Sequence, residues 1–533
     1  MIVKIKIKGD ESRKEEIKGL FGEETFKRIL SSSRYYSNDI EIYLDELSLE
    51  ELGILETYLQ KNKFRSSLFK LRNYRDIITS NDVKITDLQN LTFAMIKAVG
   101  ETEHKLIFKM SDEAVNAYLV NRIDFYPATG KGDSFQEAYV RMRICANTTN
   151  GFHYSNVVFY VDSLGKTLNE ILADKGIKIE TTELFEEYSE STEKFLREKK
   201  NFNKQYRALD NARNKVVGYF DKSERIFGNF INDEKINDKD YLIKKQCEQK
   251  EWSEEIYEVP FHHYLYLYSL DLYEDFFIHI SMIEDYVYDD TLRDKLILPE
   301  TQKDLLDILT NDIDILCNDI VKGKSTGTTI LCKGVPGTGK TLTAEVYSEI
   351  THRPLYKVNS GLLGTTPVDV EETLSETLKR AERWNAVMLL DEADTYISKR
   401  GNDIKQNAIV ASFLRTLEYF HGLLFMTTNR VDDVDDAIES RCIARIVYEV
   451  PTAKNAKRIW RVLSDEYKIA LSNEMIDSLV ETFPDMTGRD IKELLRLTYR
   501  FCDAKNYELT VDRFVSCAQF RGIVAKENYT SVF

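Results

Sequence analysis

Gly334-Val335-Pro336-Gly337-Thr338-Gly339-Lys340-Thr341 follows an apolar run, Thr329-Ile-Leu-Cys-Lys, and leads through Leu342 into a helical pattern that reaches Ile350. Glycines at Gly334, Gly337 and Gly339 let the backbone wrap closely enough for its N–H groups to point at phosphate oxygens. The start of the following helix adds partial positive charge at the same place. Lys340 suits the β and γ phosphates, and the Thr341 hydroxyl suits a magnesium ion. Farther along, Ala386-Val-Met-Leu-Leu ends in Asp391-Glu392-Ala-Asp394. A buried parallel strand delivers its last residues to the carboxyl edge of a sheet, where ligands bind. There Asp391 would hold the metal through its water shell, and Glu392 would orient and deprotonate an attacking water. Alone, the first motif could be a glycine-rich turn and the second an exposed acidic turn; together they specify ATP and Mg2+.

Such a site needs a sheet and helices around it, and a chain of 533 residues supplies more than one core. Its length suggests about three or four compact units. Hydrophobic residues make up 43% and charged residues 30%, the balance of a soluble globular protein. Lys and Arg total 73 against 89 Asp and Glu, a formal charge of −16 that disfavours nucleic acid as a partner. The cysteines are scattered without a C-x-x-C pair, which excludes the usual zinc and disulfide frameworks and fits a reducing cytoplasm. No secretion signal opens the sequence, and no apolar run approaches the roughly 18 residues of a membrane span.

Residues 1–100 read as an α/β region, with strands at Met1 to Gly9 and Ile40 to Tyr43 and a helix at Leu47 to Leu59. Residues 101–185 form a β-rich domain, carried by runs such as Lys105-Leu-Ile-Phe-Lys-Met and Val157-Val-Phe-Tyr-Val. Residues 186–297 combine a charged helical segment with a β-strand connector. Helical spacing around Leu184, Phe185, Tyr188, Phe195 and Tyr206 predicts helices from about Ile179 to Gln249. His262 and His263 are neighbours in a predicted strand, so they point to opposite faces and read as structural rather than metal ligands. The basic, aromatic stretch Arg197 to Arg207 reads as a solvated helix face in preference to a single-strand binder.

Further motifs appear in order beyond Leu298: Leu423-Leu-Phe-Met-Thr-Thr428-Asn429-Arg, then Asp436-Ala-Ile-Glu-Ser-Arg441-Cys-Ile-Ala-Arg445, then Thr487-Gly488-Arg489-Asp490. With the phosphate loop and carboxylates, they resemble the AAA+ family, in the branch close to the AAA proteins. The resemblance implies a P-loop NTPase large subdomain at 298–451 and a helical lid at 452–533. It also assigns Asn429 as sensor 1, contacting the attacking water or γ-phosphate. Arg441 would be a finger reaching a neighbouring subunit's site, with Arg445 beside it, and Arg489 a sensor-2 contact to the γ-phosphate. Read only as residue types, Asn429 also suits a turn, and the three arginines a surface or a cap. Asn359-Ser-Gly361-Leu362-Leu363-Gly364 carries leucines where peptide-threading relatives have an aromatic, and these leucines suit either a grip on an extended chain or a core.

The implied assembly is a homo-oligomeric ring, most often a hexamer, with ATP at each interface and a protein target. The activity would be ATP hydrolysis coupled to remodelling that target; an ATP-controlled switch or assembly scaffold without threading is the alternative.

Overall fold

The computed structural model describes residues 4–8, 11–29, 39–79, 83–111, 114–130, 135–149, 151–210, 212–213, 226–233, 246–248, 256–311 and 327–526. The chain forms two compact units, Met1–Tyr286 and Val287–Phe533. Among the described residues, no helix is long and apolar enough to cross a membrane.

The first unit holds three antiparallel sheets of note. Lys4–Lys8 pairs with Asp39–Tyr43, and the alternation that marks Lys4–Lys8 as a strand points Ile5 and Ile7 into a core with Leu52, Leu55 and Leu71. Leu106–Ser111, Ala114–Tyr126, Tyr139–Thr148, Gly151–Tyr160 and Ile177–Ile179 form a five-stranded sheet. One face of it packs Val120, Val140, Met142 and Phe159 against the helix Leu88–Gly100. A second five-stranded sheet comprises Gln205–Ala208, Asn229–Asn232, Tyr264–Ser269, Asp275–His279 and Ile283–Asp285. The helical expectation holds over Thr182–Lys200 but fails beyond it, where Gln205–Ala208, Asn229–Asn232 and Gln246–Glu248 are strands and Tyr206 is buried with Phe230 and Leu265. Tertiary pairing overrode spacing there: Tyr206 stands opposite Phe230 on one side and Asp285 on the other. His262 and His263 precede the Tyr264–Ser269 strand rather than lying in it, and both are buried.

In the second unit five parallel strands run in the spatial order Leu355–Asn359, Val387–Asp391, Leu423–Thr428, Thr328–Gly334, Ala444–Tyr448. The Thr328–Gly334 strand comes first in sequence yet sits between the fourth and fifth. Strand order reverses there, and ligand crevices in open α/β sheets form at such a point, beyond the carboxyl ends. These strands are short and apolar because both faces are covered. Ile330, Leu389 and Phe425 pack on Ala344 and Tyr347 of the helix Lys340–Ile350, while the intervening Leu331, Leu390 and Met426 are buried as well. Each such side chain contributes about 1.5–3 kcal/mol of burial.

Behind the last strand come four helices, Ala453–Glu466, Asn473–Thr482, Gly488–Lys505 and Val511–Gln519, packed around Trp460, Leu494 and Phe514. Thr452, Ser472 and Thr487 cap the first three through side-chain oxygens that accept early N–H groups, which fixes where each helix starts.

Candidate nucleotide site

The phosphate loop leaves its strand at Gly334, where a side-chain carbon would come within 2.2 Å of the Tyr448 carbonyl oxygen. At Gly337, φ is +81° and a side-chain carbon would meet the Thr487 hydroxyl at 2.7 Å and Arg489 Cβ at 2.8 Å. Arg489 N–H in turn donates to the Gly337 carbonyl at 3.1 Å. The start of the helix Gly488–Lys505 therefore rests directly on the loop, and Arg489 lines the cleft above it.

Lys340 is only 7% exposed, and its ammonium donates to the carbonyls of Gly334 at 2.9 Å and Val335 at 2.8 Å. Burial holds it below the ordinary lysine pKa, partly offset by negative neighbours including Asp391. Phosphate oxygens are charged acceptors and would bind this ammonium more strongly than neutral carbonyls do. Pro336, Gly337, Thr338, Gly339, Lys340, Thr341 and Leu342 all line the cleft, whereas Gly334 and Val335 act from beneath by holding Lys340.

Across the sheet, Asp391 Oδ1 accepts from the Thr341 hydroxyl at 2.9 Å and from the Thr427 hydroxyl at 2.6 Å. Its Oδ2 lies 3.0 Å from the Lys357 ammonium. Burial pushes the carboxyl up, but the bonds from Thr427, Lys357 and Thr341 outweigh it and hold the pKa below the ordinary value. The Thr427 oxygen also accepts the Glu392 N–H at 3.0 Å, so one hydroxyl ties both carboxylate-bearing residues together. Glu392 has φ +53°, an uncommon conformation for a residue with a side chain, and it lines the cleft beside Asp391 and Asn429. Asp394 accepts the Asn429 N–H at 3.2 Å and the Thr428 hydroxyl, fixing the end of the Leu423–Thr428 strand.

Lys340, Thr341, Lys357, Asp391, Glu392, Thr427, Asn429 and Arg489 share one cleft of about 1360 Å³. Leu296, Ile297 and Pro299, with Ile459, Leu463 and Tyr467 from the helical bundle, add apolar surface to its lining. That combination of a cationic loop and apolar side chains in one cleft fits a nucleotide's phosphates and base. A hydroxyl and a carboxylate 2.9 Å apart are the hard oxygen donors magnesium takes, so the residues present fit that ion as well.

Arg441 and Arg445 lie elsewhere. Arg441 donates to the Ala437 carbonyl at 3.1 Å and stands 3.9 Å from Glu418, with its guanidinium partly exposed. Arg445 projects from the Ala444–Tyr448 strand and is held by Glu439 at 2.6 Å. Leu363 is fully buried, as expected of a core residue, while the side chain of Leu362 lies outside the described residues. Sequence reasoning missed Thr427 and Lys357; a threonine and a lysine in strands give no local signal of a carboxylate on the adjacent strand.

Residues 330–450 match the family described as "ATPase family associated with various cellular activities (AAA)". Fidgetin-like protein 1 of Homo sapiens is 28% identical over 177 residues, 31% of this chain and 26% of that protein. Its Drosophila melanogaster counterpart is 28% identical over 31% of this chain and 34% of its own length. The Arabidopsis thaliana ATPase family AAA domain-containing protein FIGL1 is 26% identical over 194 residues, 34% of this chain and 28% of that protein. The matched stretch thus spans only a quarter to a third of these relatives. Among solved structures, one chain of the E. coli MS115-1 HORMA:CdnC:Trip13 complex aligns over 46% of this chain and 94% of its own, with 18% identity and a TM-score of 0.36. With its parallel sheet, its phosphate loop and this family match, the chain carries an ATPase module of the AAA+ family.

Proposed function

We propose that this protein hydrolyses Mg-ATP at the subunit interfaces of a ring, most simply a hexamer, and couples the cycle to remodelling a protein target. The observation that supports this best is the convergence of Lys340, Thr341, Asp391, Glu392, Asn429 and Arg489 on one cleft. Lys340 and the loop amides bind the phosphates. Thr341 and Asp391 would hold the magnesium, which when bound neutralises charge on the β and γ phosphates. Glu392 accepts a proton from the attacking water, and Asn429 orients that water. Arg489 reports the γ-phosphate to the helical bundle through its bond to Gly337. Arg441, outside its own cleft and partly exposed, serves the neighbouring subunit's site, where a guanidinium fork stabilises the transferring phosphoryl group.

The test is ATP turnover against protein concentration, with particle size recorded with and without ATP, for the wild type, Lys340→Ala, Glu392→Gln and Arg441→Ala. Cooperative turnover that rises as rings form, and fails in all three variants, supports the reading. Absence of nucleotide binding under every ring-forming condition ends it.

A second reading, an ATP-controlled switch or scaffold, draws support from the burial of Leu363, which removes one apolar grip from the segment that threading relatives use. The two readings part on Glu392→Gln: full action on the target by this ATP-held variant favours the switch.

A further inference from the structure

The strand Leu355–Asn359 lies beside Val387–Asp391 in parallel register, with Lys357 opposite Leu389 and Asn359 opposite Asp391. From there the Lys357 ammonium reaches Asp391 Oδ2 at 3.0 Å and stands 4.0 Å from Glu345 Oε1 on the phosphate-loop helix. Both carboxylates and Lys357 line the nucleotide cleft. Asp391 Oδ1 is already shared by the Thr341 and Thr427 hydroxyls, so the oxygen that the ammonium covers is the one left to meet a metal. Without Lys357, two carboxylates and the Thr341 hydroxyl would present a doubly negative set of oxygen donors, which suits a bare divalent cation. With it, the set carries one net negative charge, and the Asp391 oxygen that the two threonines leave over is occupied.

We propose that Lys357 is an internal counter-ion that keeps free divalent cations out of the nucleotide-free site, so that metal enters with ATP. The inference rests on the assignment of Thr341 and Asp391 as the metal-holding pair. Arriving phosphates supply the charge that lets metal compete, and the flexible lysine stem, about two-fifths exposed, swings its ammonium from Asp391 to a phosphate oxygen. The lysine thereby couples two binding events that a simple acidic pair would leave independent.

The experiment is a Mn2+ titration of the full, nucleotide-free chain followed by electron paramagnetic resonance, which reads metal binding without any turnover. Lys357→Met is expected to bind Mn2+ at least about tenfold more tightly than the wild type, since a unit charge a few ångströms away is removed from a partly exposed site. Lys357→Arg, which keeps the charge, should match the wild type. Adding Asp391→Asn to Lys357→Met should abolish the gain. Lys357→Gln removes the charge at similar polarity and serves if the methionine variant does not fold. Equal Mn2+ affinity in wild type and the neutral variants overturns the proposal, as does a gain that survives Asp391→Asn. Because no nucleotide is present, these outcomes are separable from the ATPase reading, which fails on ATP binding and turnover instead.

Discussion

Glu198 in the first unit and Asp391 in the second are both carboxylates held below their ordinary pKa, yet their surroundings differ in kind. Burial pushes Glu198 up, but Lys204, Asn201, Tyr206 and Arg197 all donate to it and bring it down to about 2. Three of these donors share Oε2 and Arg197 reaches Oε1, and the group joins the helix Thr182–Lys200 to the strand Gln205–Ala208. Asp391 is more exposed and has three partners, two of them hydroxyls and the third a long lysine at the wall of an open cleft. A depressed carboxylate that faces an open cleft marks a candidate site; one that bridges a helix and a strand away from that cleft marks a structural tie.

That contrast is broken most sharply by turnover measurements. On the proposed role of Arg441 as a finger in the neighbouring subunit's site, Arg441→Ala should lower turnover by about 10³-fold or more while leaving nucleotide affinity within a few-fold, since such a group acts on the transition state. Glu392→Gln should cost about 10² to 10⁴ in kcat, with ATP still bound. Glu198→Gln should leave turnover per folded molecule unchanged and lower stability by about 1–3 kcal/mol, the cost of weakening a buried charged network. If the Glu198 variant slows turnover as much as Glu392→Gln does, the distinction between tie and site is wrong. These measurements need only steady-state kinetics, a nucleotide-binding assay and a denaturant melt.

The uneven legibility of the two units has a physical basis. The phosphate loop was readable because its chemistry is local: glycines, a lysine and a threonine act within one turn of chain. Asp391 and Glu392 were readable because an apolar strand announces its own carboxyl end. Thr427 was not, since its importance comes from lying within hydrogen-bond reach of residues 35 and 36 positions away, a relation set by parallel register. Lys357 was missed for the same reason. In the first unit, spacing placed Tyr206 in a helix, while its actual neighbours on the sheet, Phe230 and Asp285, come from distant strands. Nonlocal antiparallel pairing leaves little imprint on a window of sequence.

Thr427→Val tests how far that nonlocal clamp matters. The variant keeps the shape and removes the hydroxyl, so Asp391 loses a donor and the Glu392 N–H loses its acceptor. Turnover should fall by about 10- to 100-fold, corresponding to two hydrogen bonds at a charged centre, and the Mg2+ concentration needed for half-maximal turnover should rise. Thr427→Ser should recover most of the loss. A valine variant with wild-type kcat and Mg2+ dependence would reduce Thr427 to packing.

A smaller effect is expected of pH on the first unit. Burial, with Arg65 adding its charge, pushes His263 down to about 3, and the ring is held by the Thr192 hydroxyl at 2.8 Å and stacked on Tyr188. Folded His263 stays neutral, so its full contribution is present above the unfolded pKa near 6.5. As pH falls from there toward 3, the unfolded chain takes a proton that the folded chain refuses, and stability drops by about 1.4 kcal/mol per pH unit. Denaturant melts at pH 7 and pH 5 should show this loss, and His263→Phe should flatten it. An unchanged slope in that variant would place the titration elsewhere.

The mildest expected effect sits where the helical bundle meets the phosphate loop. Thr487 caps the helix Gly488–Lys505 in a capping box with Asp490, and its hydroxyl is among the atoms that would crowd a side chain at Gly337. Thr487→Ala should cost about 1 kcal/mol of stability through the lost cap. The same cap orients Arg489, so on the proposed role of Arg489 at the γ-phosphate, loosening it should also weaken ATP more than ADP. Equilibrium binding of both nucleotides to this variant distinguishes the roles. A loss shared equally by ATP and ADP makes Thr487 a cap alone, whereas a loss of a few-fold confined to ATP makes the helix start part of the nucleotide-sensing machinery.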